Sequence, residues 1–453
     1  MNKENKMGVM SVKKLVITMS LPMMVSMLVQ ALYNVVDSIF VSQVCEDALT
    51  AVSLAFPAQN LMIGLATGTG VGVNALLSRS LGEKNFEKAN KIAAQGVLLA
   101  MFSFILFALF GLFGTKLFFA SQVEKGSAIY NYGVDYLSVV CTFSVGLFGQ
   151  VMMERLMQAT GKTTLSMATQ LAGAITNIIL DPLFILGIGP FPRMEAKGAA
   201  VATVIGQTVA FIAGIIINET ANKEIRLKFS NFRPDFRIIL DIYKIGIPSV
   251  LMVGIGSLMT FLLNKILLSF TTTAAAVFGV YFKLQSFIFM PIFGLNNGVI
   301  PIVAYNYGAK KKERITECLR FSCIIAVSIM ALGMLLMWLM PEQMLRLFEA
   351  KEEMMDLGVP ALRIISTSFI LAGVCINLGS AFQALGKSYF SMIISFCRQI
   401  VVLLPAAYLL SKTGVLNNVW YAFPIAEVMS LTVTLICFAY VYKKIIKPIS
   451  SEV

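Results

Sequence analysis

The chain has 453 residues, 57% of them hydrophobic and 13% charged, with a formal net charge of +12 and a mean hydropathy of +0.80. An average soluble domain carries about 25% charged residues. Half that charge cannot solvate a soluble surface of this size, and disorder needs low hydrophobicity and high charge, so a polytopic helical membrane protein remains. The chain has no histidine, which excludes His-based acid–base chemistry and His metal ligation. The seven cysteines form no C-x-x-C pair, so no zinc site or redox motif is indicated.

A spanning helix needs roughly 20 apolar residues. Twelve apolar segments follow one another: 15–41, 48–78, 92–118, 128–158, 163–187, 196–218, 242–269, 275–305, 315–340, 356–384, 388–411 and 417–442. The first runs on too long after Lys13-Lys14 to be the apolar region of a signal peptide. Segments longer than the hydrocarbon is thick are expected to tilt or project into water.

The loops set the orientation. Basic clusters occupy the N-terminal arm (Lys3, Lys6, Lys13, Lys14), the loop after segment two (Arg79, Lys84, Lys88, Lys91) and the central loop (Lys223, Arg226, Lys228, Arg233, Arg237, Lys244). Two more follow segment eight (Lys310, Lys311, Lys312, Arg314) and segment twelve (Lys443, Lys444, Lys447). With twelve spans all five share one side, and the loops opposite, Cys45-Glu46-Asp47 and 342–356, are poorer in Lys and Arg. Both termini are therefore expected in the cytoplasm, with the chain in the cytoplasmic (plasma) membrane of a prokaryote. The basic excess is read as this topology signal, and no nucleic acid partner is expected.

The chain also repeats itself. A shift of 226 residues places Pro22 on Pro248, Gln59 on Gln285, Gly68 on Gly294, Gly72 on Gly298 and Gly82 on Gly308. Further on, Gln158-Ala159-Thr160-Gly161-Lys162 falls on Gln383-Ala384-Leu385-Gly386-Lys387 at a shift of 225, and Ser166-Met167 on Ser391-Met392. The expected organisation is an N-terminal six-helix lobe over 1–222, a cytoplasmic linker over 223–240 and a C-terminal six-helix lobe over 241–453. Six spans per repeat is an even number, so the halves share one orientation, as in transporters built from parallel repeats.

Charges inside a span are costly and are functional candidates by default. The deep ones are Asp37, Asp181, Lys283, Arg398 and Glu427; Asp135, Glu154, Arg155 and Arg363 lie nearer segment ends, where side chains reach the interface. Gln30, Tyr33, Asn34 and Asp37 recur at i, i+3, i+4 and i+7, and Gln170, Gly173, Ala174, Asn177 and Asp181 form a second such face. Segment six presents Ala199, Thr203, Gly206, Gln207, Ala210 and Gly214 along one side, small enough for close helix contact. Polar faces of this kind line protein or water, not lipid. Gln30, Tyr33, Asn34, Gln170, Gln207, Lys283 and Gln285 are thus candidate cavity-lining residues. Lys283 is expected either paired or facing water, with Lys283–Glu427 and Arg398–Glu427 as alternative pairs. Two carboxyls sharing a low-dielectric cavity hold a proton or, with neutral oxygens beside them, a small hard cation. Asp37, Asn177, Asp181 and Thr203 would make an all-oxygen set for Na+.

The strings Ser20-Leu21-Pro22, Tyr33-Asn34-Val35-Val36-Asp37, Gln158-Ala159-x-Gly161 and Asn177-Ile178-Ile179-Leu180-Asp181-Pro182 resemble those of the multidrug and toxic compound extrusion (MATE) transporters, over essentially the whole chain. The acids of segments one and five resemble the DinF-like bacterial and archaeal branch. The resemblance implies an all-α membrane protein with twelve transmembrane helices in two pseudo-symmetric six-helix lobes. It implies a secondary active antiporter, not an enzyme, that exports amphipathic, commonly cationic organic compounds in exchange for H+ or Na+. No cofactor or obligate protein partner is expected; the partners are small-molecule organic substrates and the lipid bilayer. By the same resemblance Asp37, Asn177, Asp181 and Thr203 form the cation-coupling site, and the first helix bends at Pro22. Acids that another branch carries in helices seven and ten are missing, and the repeat places Leu263 opposite Asp37 and Ala406 opposite Asp181. Coupling is therefore expected in the N-terminal lobe alone. A lipid-linked oligosaccharide flippase of related bilobed architecture is the alternative; it would want a cationic cavity, which Lys283 and Arg398 would serve better than the acids do.

Overall fold

The computed structural model describes residues 5–227, 233–348 and 351–449, so Lys3 and Lys228 of the basic clusters lie outside the described residues. All regular structure among the described residues is helical. Ten helices are long and apolar enough to span a membrane, and two bent helix pairs bring the number to twelve. The first six are α1 (Val12–Val41), α2 (Glu46–Gly82), α3 (Phe86–Ala120), α4 (the bent pair Ala128–Thr142 and Val145–Ala159), α5 (Thr163–Ile185) and α6 (Glu195–Ala221). The second six are α7 (Phe236–Leu268), α8 (Thr272–Gly308), α9 (Lys312–Leu339), α10 (the bent pair Glu352–Ser366 and Phe369–Ala384), α11 (Ser388–Ser411) and α12 (Leu416–Ile446).

The bends, 45° in α4 and 48° in α10, recur at the fourth position of each half. In α10 a run of hydroxyls explains the break. Ser366, Thr367 and Ser368 donate to the carbonyls of Arg363, Ile364 and Ile365 at 3.1, 2.7 and 2.7 Å. Hydroxyls that bond back to the preceding turn compete with the helical ladder and bend it. The helix ends repeat as well. Lys84 and Lys310 both adopt left-handed backbone, with φ of 56° and 57°, and Gly161 and Gly386 do so with 84° and 74°. Each is followed by an amide that reaches back over the helix end, such as Asn85 N to Ser80 O and Lys311 N to Asn306 O, both 2.9 Å.

Two compact units emerge: Val25–Val250, and Met1–Met24 with Leu251–Val453. They follow the sequence halves except within α1 and α7, which change unit two residues beyond Pro22 and Pro248. The start of each of these helices is thereby seated in the other half's unit. Glycines make the seats. A Cβ on Gly72 of α2 would stand 2.3 Å from the Ile242 carbonyl oxygen of α7, and one on Gly68 would stand 2.8 Å from that of Gly246. At the matching positions of α8, a Cβ on Gly294 would lie 2.5 Å from Met24 Cα and one on Gly298 2.7 Å from Ser20 Cα of α1. Ser20 Oγ adds a 3.2 Å bond to the Leu295 carbonyl. Small residues of this kind let helix backbones approach closely in a membrane. The loops extend the seats. Arg314 donates to the carbonyls of Met7 and Met10 at 3.0 and 2.7 Å, and Gln95 donates to that of Arg233 at 2.9 Å.

These seats predict an asymmetric response to bulk. Gly72→Leu must displace backbone and should lower the melting temperature of the purified protein, at an overpacking cost of about 1–3 kcal/mol. Gly254→Leu, where a Cβ meets nothing within 4 Å, should leave it unchanged. Thermal unfolding in detergent compares the two.

Candidate cation site

Asp37, Asn177, Asp181 and Thr203 all belong to the unit Val25–Val250. On α5, Asn177 and Asp181 lie one turn apart and are 3% and 0% exposed. The Asn177 amide nitrogen is 3.3 Å from Asp181 Oδ1 and 3.4 Å from Thr203 Oγ1 on α6. Thr203 gets there because α5 and α6 cross on glycine: a Cβ on Gly206 would stand 2.7 Å from the Gly173 carbonyl oxygen and 3.1 Å from Asn177 Cβ.

Asp37 approaches from α1. Its carboxylate and that of Asp181 are close enough for charge to act between them, and Tyr33 of α1 and Tyr136 of α4 stand in the field of both. Gln59 of α2 donates to the Tyr136 hydroxyl at 3.0 Å. Gln170 of α5 donates to Gln30 Oε1 of α1 at 3.0 Å, tying the two polar faces together about two turns from Asp37 and Asn177. Among the buried oxygens without a hydrogen-bond partner in the described residues, five belong to this group of side chains: Asp37 Oδ1, Asn177 Oδ1, Asp181 Oδ2, Gln170 Oε1 and Gln207 Oε1. A buried acceptor without a donor is costly, and an ionised one far more so. The cluster is therefore built to receive a positive charge, as a proton on a carboxyl or as a hard cation among oxygens.

The structure brings Gln30, Tyr33, Gln170 and the four oxygen residues together, and Gln207 lies one turn along α6 from Thr203. The Asn34 side chain is exposed. Lys283 and Gln285 belong to the other unit and take no part in the cluster. Lys283 is exposed and makes no ion pair among the described residues; its ammonium lies 5.9 Å from the ring of Phe348, just beyond the short helix Pro341–Arg346. Of the two alternative pairs, Arg398–Glu427 is the one formed, at 3.2 Å.

Sequence reasoning missed two features. Tyr136 reads as ordinary core in an apolar segment, and Gln59 stood out only as a marker of the repeat. Glu154 and Arg155, expected near the interface, are instead 8% and 7% exposed. They lie in a buried network in which Gln150 donates to Glu154 at 2.9 Å, Arg155 to Gln158 at 2.9 Å and Gln158 to Ser166 at 3.0 Å. The i, i+4 and i, i+3 spacing of Gln150, Glu154, Arg155 and Gln158 was the available signal.

The MatE family profile matches residues 22–183 and 248–409, two stretches that open on the paired prolines. The multidrug export protein MepA of Staphylococcus haemolyticus is 27% identical over 420 residues, 92% of this chain and 91% of that protein. An FAD transporter of Shewanella oneidensis is 25% identical over 450 residues, 97% and 96% of the two chains. Among solved structures, a MATE protein in complex with MaL6 shares the fold, with a TM-score of 0.93 at 24% identity over 99% of this chain and 100% of that one.

Proposed function

The chain belongs to the MatE family of membrane transporters, and we propose that it is a secondary active antiporter that exports amphipathic, cationic organic compounds in exchange for H+ or Na+. The observation that carries this reading is the set of donor-less oxygens on Asp37, Asn177 and Asp181, buried in apolar spans beside Thr203. The likeness to multidrug export proteins over most of the chain supports organic compounds as cargo, and the basic loops support cytoplasmic termini in a plasma membrane.

In this mechanism Asp37 and Asp181 alternate between a bound cation and none. Asn177 and Thr203 complete the ligand set, and Gln30, Tyr33, Gln170 and Gln207 line the approach. The glycine seats hold the starts of α1 and α7, and a change of shape at Pro22 would act on the part of α1 that carries Asp37. Each cation entering at 100 mV supplies about 2.3 kcal/mol. A tenfold ion gradient adds roughly 1.4 kcal/mol. One ion thus supports a gradient of about several hundred-fold for a neutral compound, but of about tenfold for a monovalent cation, whose exit returns the charge.

Asp37→Asn and Asp181→Asn should each abolish coupled export while the protein still inserts; drug efflux from cells making equal amounts of inserted variant reads this. Export at the unmodified rate by both variants would remove the coupling site. Leu263→Asp should not rescue Asp37→Asn, because the C-terminal half carries Ala406 where Asp181 would be needed.

The neutral ligands separate the two ions. For a proton, Asn177 and Thr203 act as hydrogen-bond partners worth about 0.5–1.5 kcal/mol each, so Thr203→Val should slow exchange several-fold at most. For Na+ the same change removes a direct ligand and should raise the Na+ concentration for half-maximal exchange by more than tenfold. Initial efflux rates at fixed pH, with an uncoupler and with or without a Na+ gradient, decide between them.

A further inference from the structure

Arg398 lies near the middle of α11, roughly 15 Å along the helix from Ser388 and 20 Å from Ser411 at 1.5 Å per residue. Its side chain cannot reach either interface from there. Nη1 makes a single end-on contact with Glu427 Oε2 of α12 at 3.2 Å, and the two side chains are 29% and 7% exposed. A guanidinium carries five N–H donors, and none of this one's nitrogens is buried without a partner. Its open edge therefore faces outward at mid-membrane depth. A bare guanidinium edge is not tolerated against lipid, so it faces water.

The fold does not require this pair. The shift of 225 that aligns Gly161 with Gly386 places Gly173 at Arg398 and Ala202 at Glu427. There α5 and α6 close without charge, a Cβ on Gly173 standing 2.9 Å from the Gly206 carbonyl oxygen. A largely buried ion pair is in any case a weak source of stability. α11 also widens into a π-helical stretch at Cys397–Leu403, the turn that carries Arg398; such irregularities recur at functional sites. Behind the pair, Tyr281 is 2% exposed, stands in the field of both charges and packs its ring 6.0 Å from those of Phe278 and Phe423. The Tyr281 side is packed and the outward edge is open.

We propose that Arg398, oriented by Glu427, binds the acidic group of an exported compound: a carboxylate or phosphate ester on an otherwise aromatic or apolar body. A planar guanidinium fork suits such groups better than an ammonium does. The inference rests on the antiporter reading and extends its cargo from cations to zwitterions and anions, with the acidic cluster of one unit serving the coupling cation and the arginine of the other serving the substrate. Glu427 is a positioning residue, since its only contact with substrate is through Arg398.

The test uses the full-length protein in liposomes under an imposed cation gradient, with a xanthene dye bearing a free carboxylic acid and its ethyl ester as probes. Arg398→Gln should raise KM for the acid about tenfold, the scale of one charge-assisted contact, and leave the ester within about twofold. Arg398→Lys should restore part of the difference. The paired change Arg398→Met with Glu427→Met, which leaves no unpaired buried charge, should show the same selective loss. Equal effects on both dyes, or none on either, overturn the proposal, as does wild-type protein that exchanges the ester and not the acid. If wild-type protein exchanges neither dye, the antiporter reading falls and takes this inference with it.

Discussion

A carboxylate inside hydrocarbon without a fixed counter-charge is the constraint to which the rest of the molecule answers. Asp181 is fully buried, one of its oxygens receives only a long bond from a neutral amide, and the other receives none. Asp37 adds a second charge in its field. Such a pair is costly when both members are ionised, and a proton or a cation relieves the cost. The polar faces of α1, α5 and α6 turn toward it because they cannot turn toward lipid, and the glycines of α5 and α6 let Thr203 come within reach of Asn177.

The duplication shows which features are scaffold and which are chemistry. Helix ends, bends, glycine seats and the paired prolines recur at shifts of 225 or 226 residues, down to the sign of φ at Lys84 and Lys310. The buried acids do not recur. Asp37 and Asp181 make no ion pair among the described residues, whereas Glu427 Oε2 contacts Arg398 at 3.2 Å. A symmetric frame thus carries an antisymmetric interior.

Most of the frame was legible in the sequence because hydrocarbon enforces it: twelve apolar segments, two similar halves, and the spacing of Asn177 and Asp181 on one helical face. Asp37, Asn177, Asp181 and Thr203 could be written down as an all-oxygen set, but that Asp37 stands near Asp181 could not be read, because no periodicity says that α1 meets α5. The burial of Glu154 and Arg155 was not legible, since distance from a segment's end does not say which side of a helix its neighbours cover. Of the two expectations for Lys283, paired or facing water, exposure without an ion pair among the described residues matches the second. Nor could the sequence choose between two partners for Glu427, because helical spacing constrains neighbours within a helix and says nothing across helices.

The exchanged helix starts have a consequence for biogenesis. A chain made from its N-terminus completes the unit Val25–Val250 only when the start of α7 has been synthesised and can seat against Gly68 and Gly72. The stretch up to Met24, made before α2 to α7, has its seat on α8, some 270 residues downstream at the Gly294–Met24 contact. Domains commonly fold as they emerge, N-terminal first, but here the start of α1 finds its seat only once α8 is made. Until then the beginning of α1 must be carried by lipid or by the insertion machinery. A break within 223–240 would leave each fragment with one helix start whose seat lies in the other fragment.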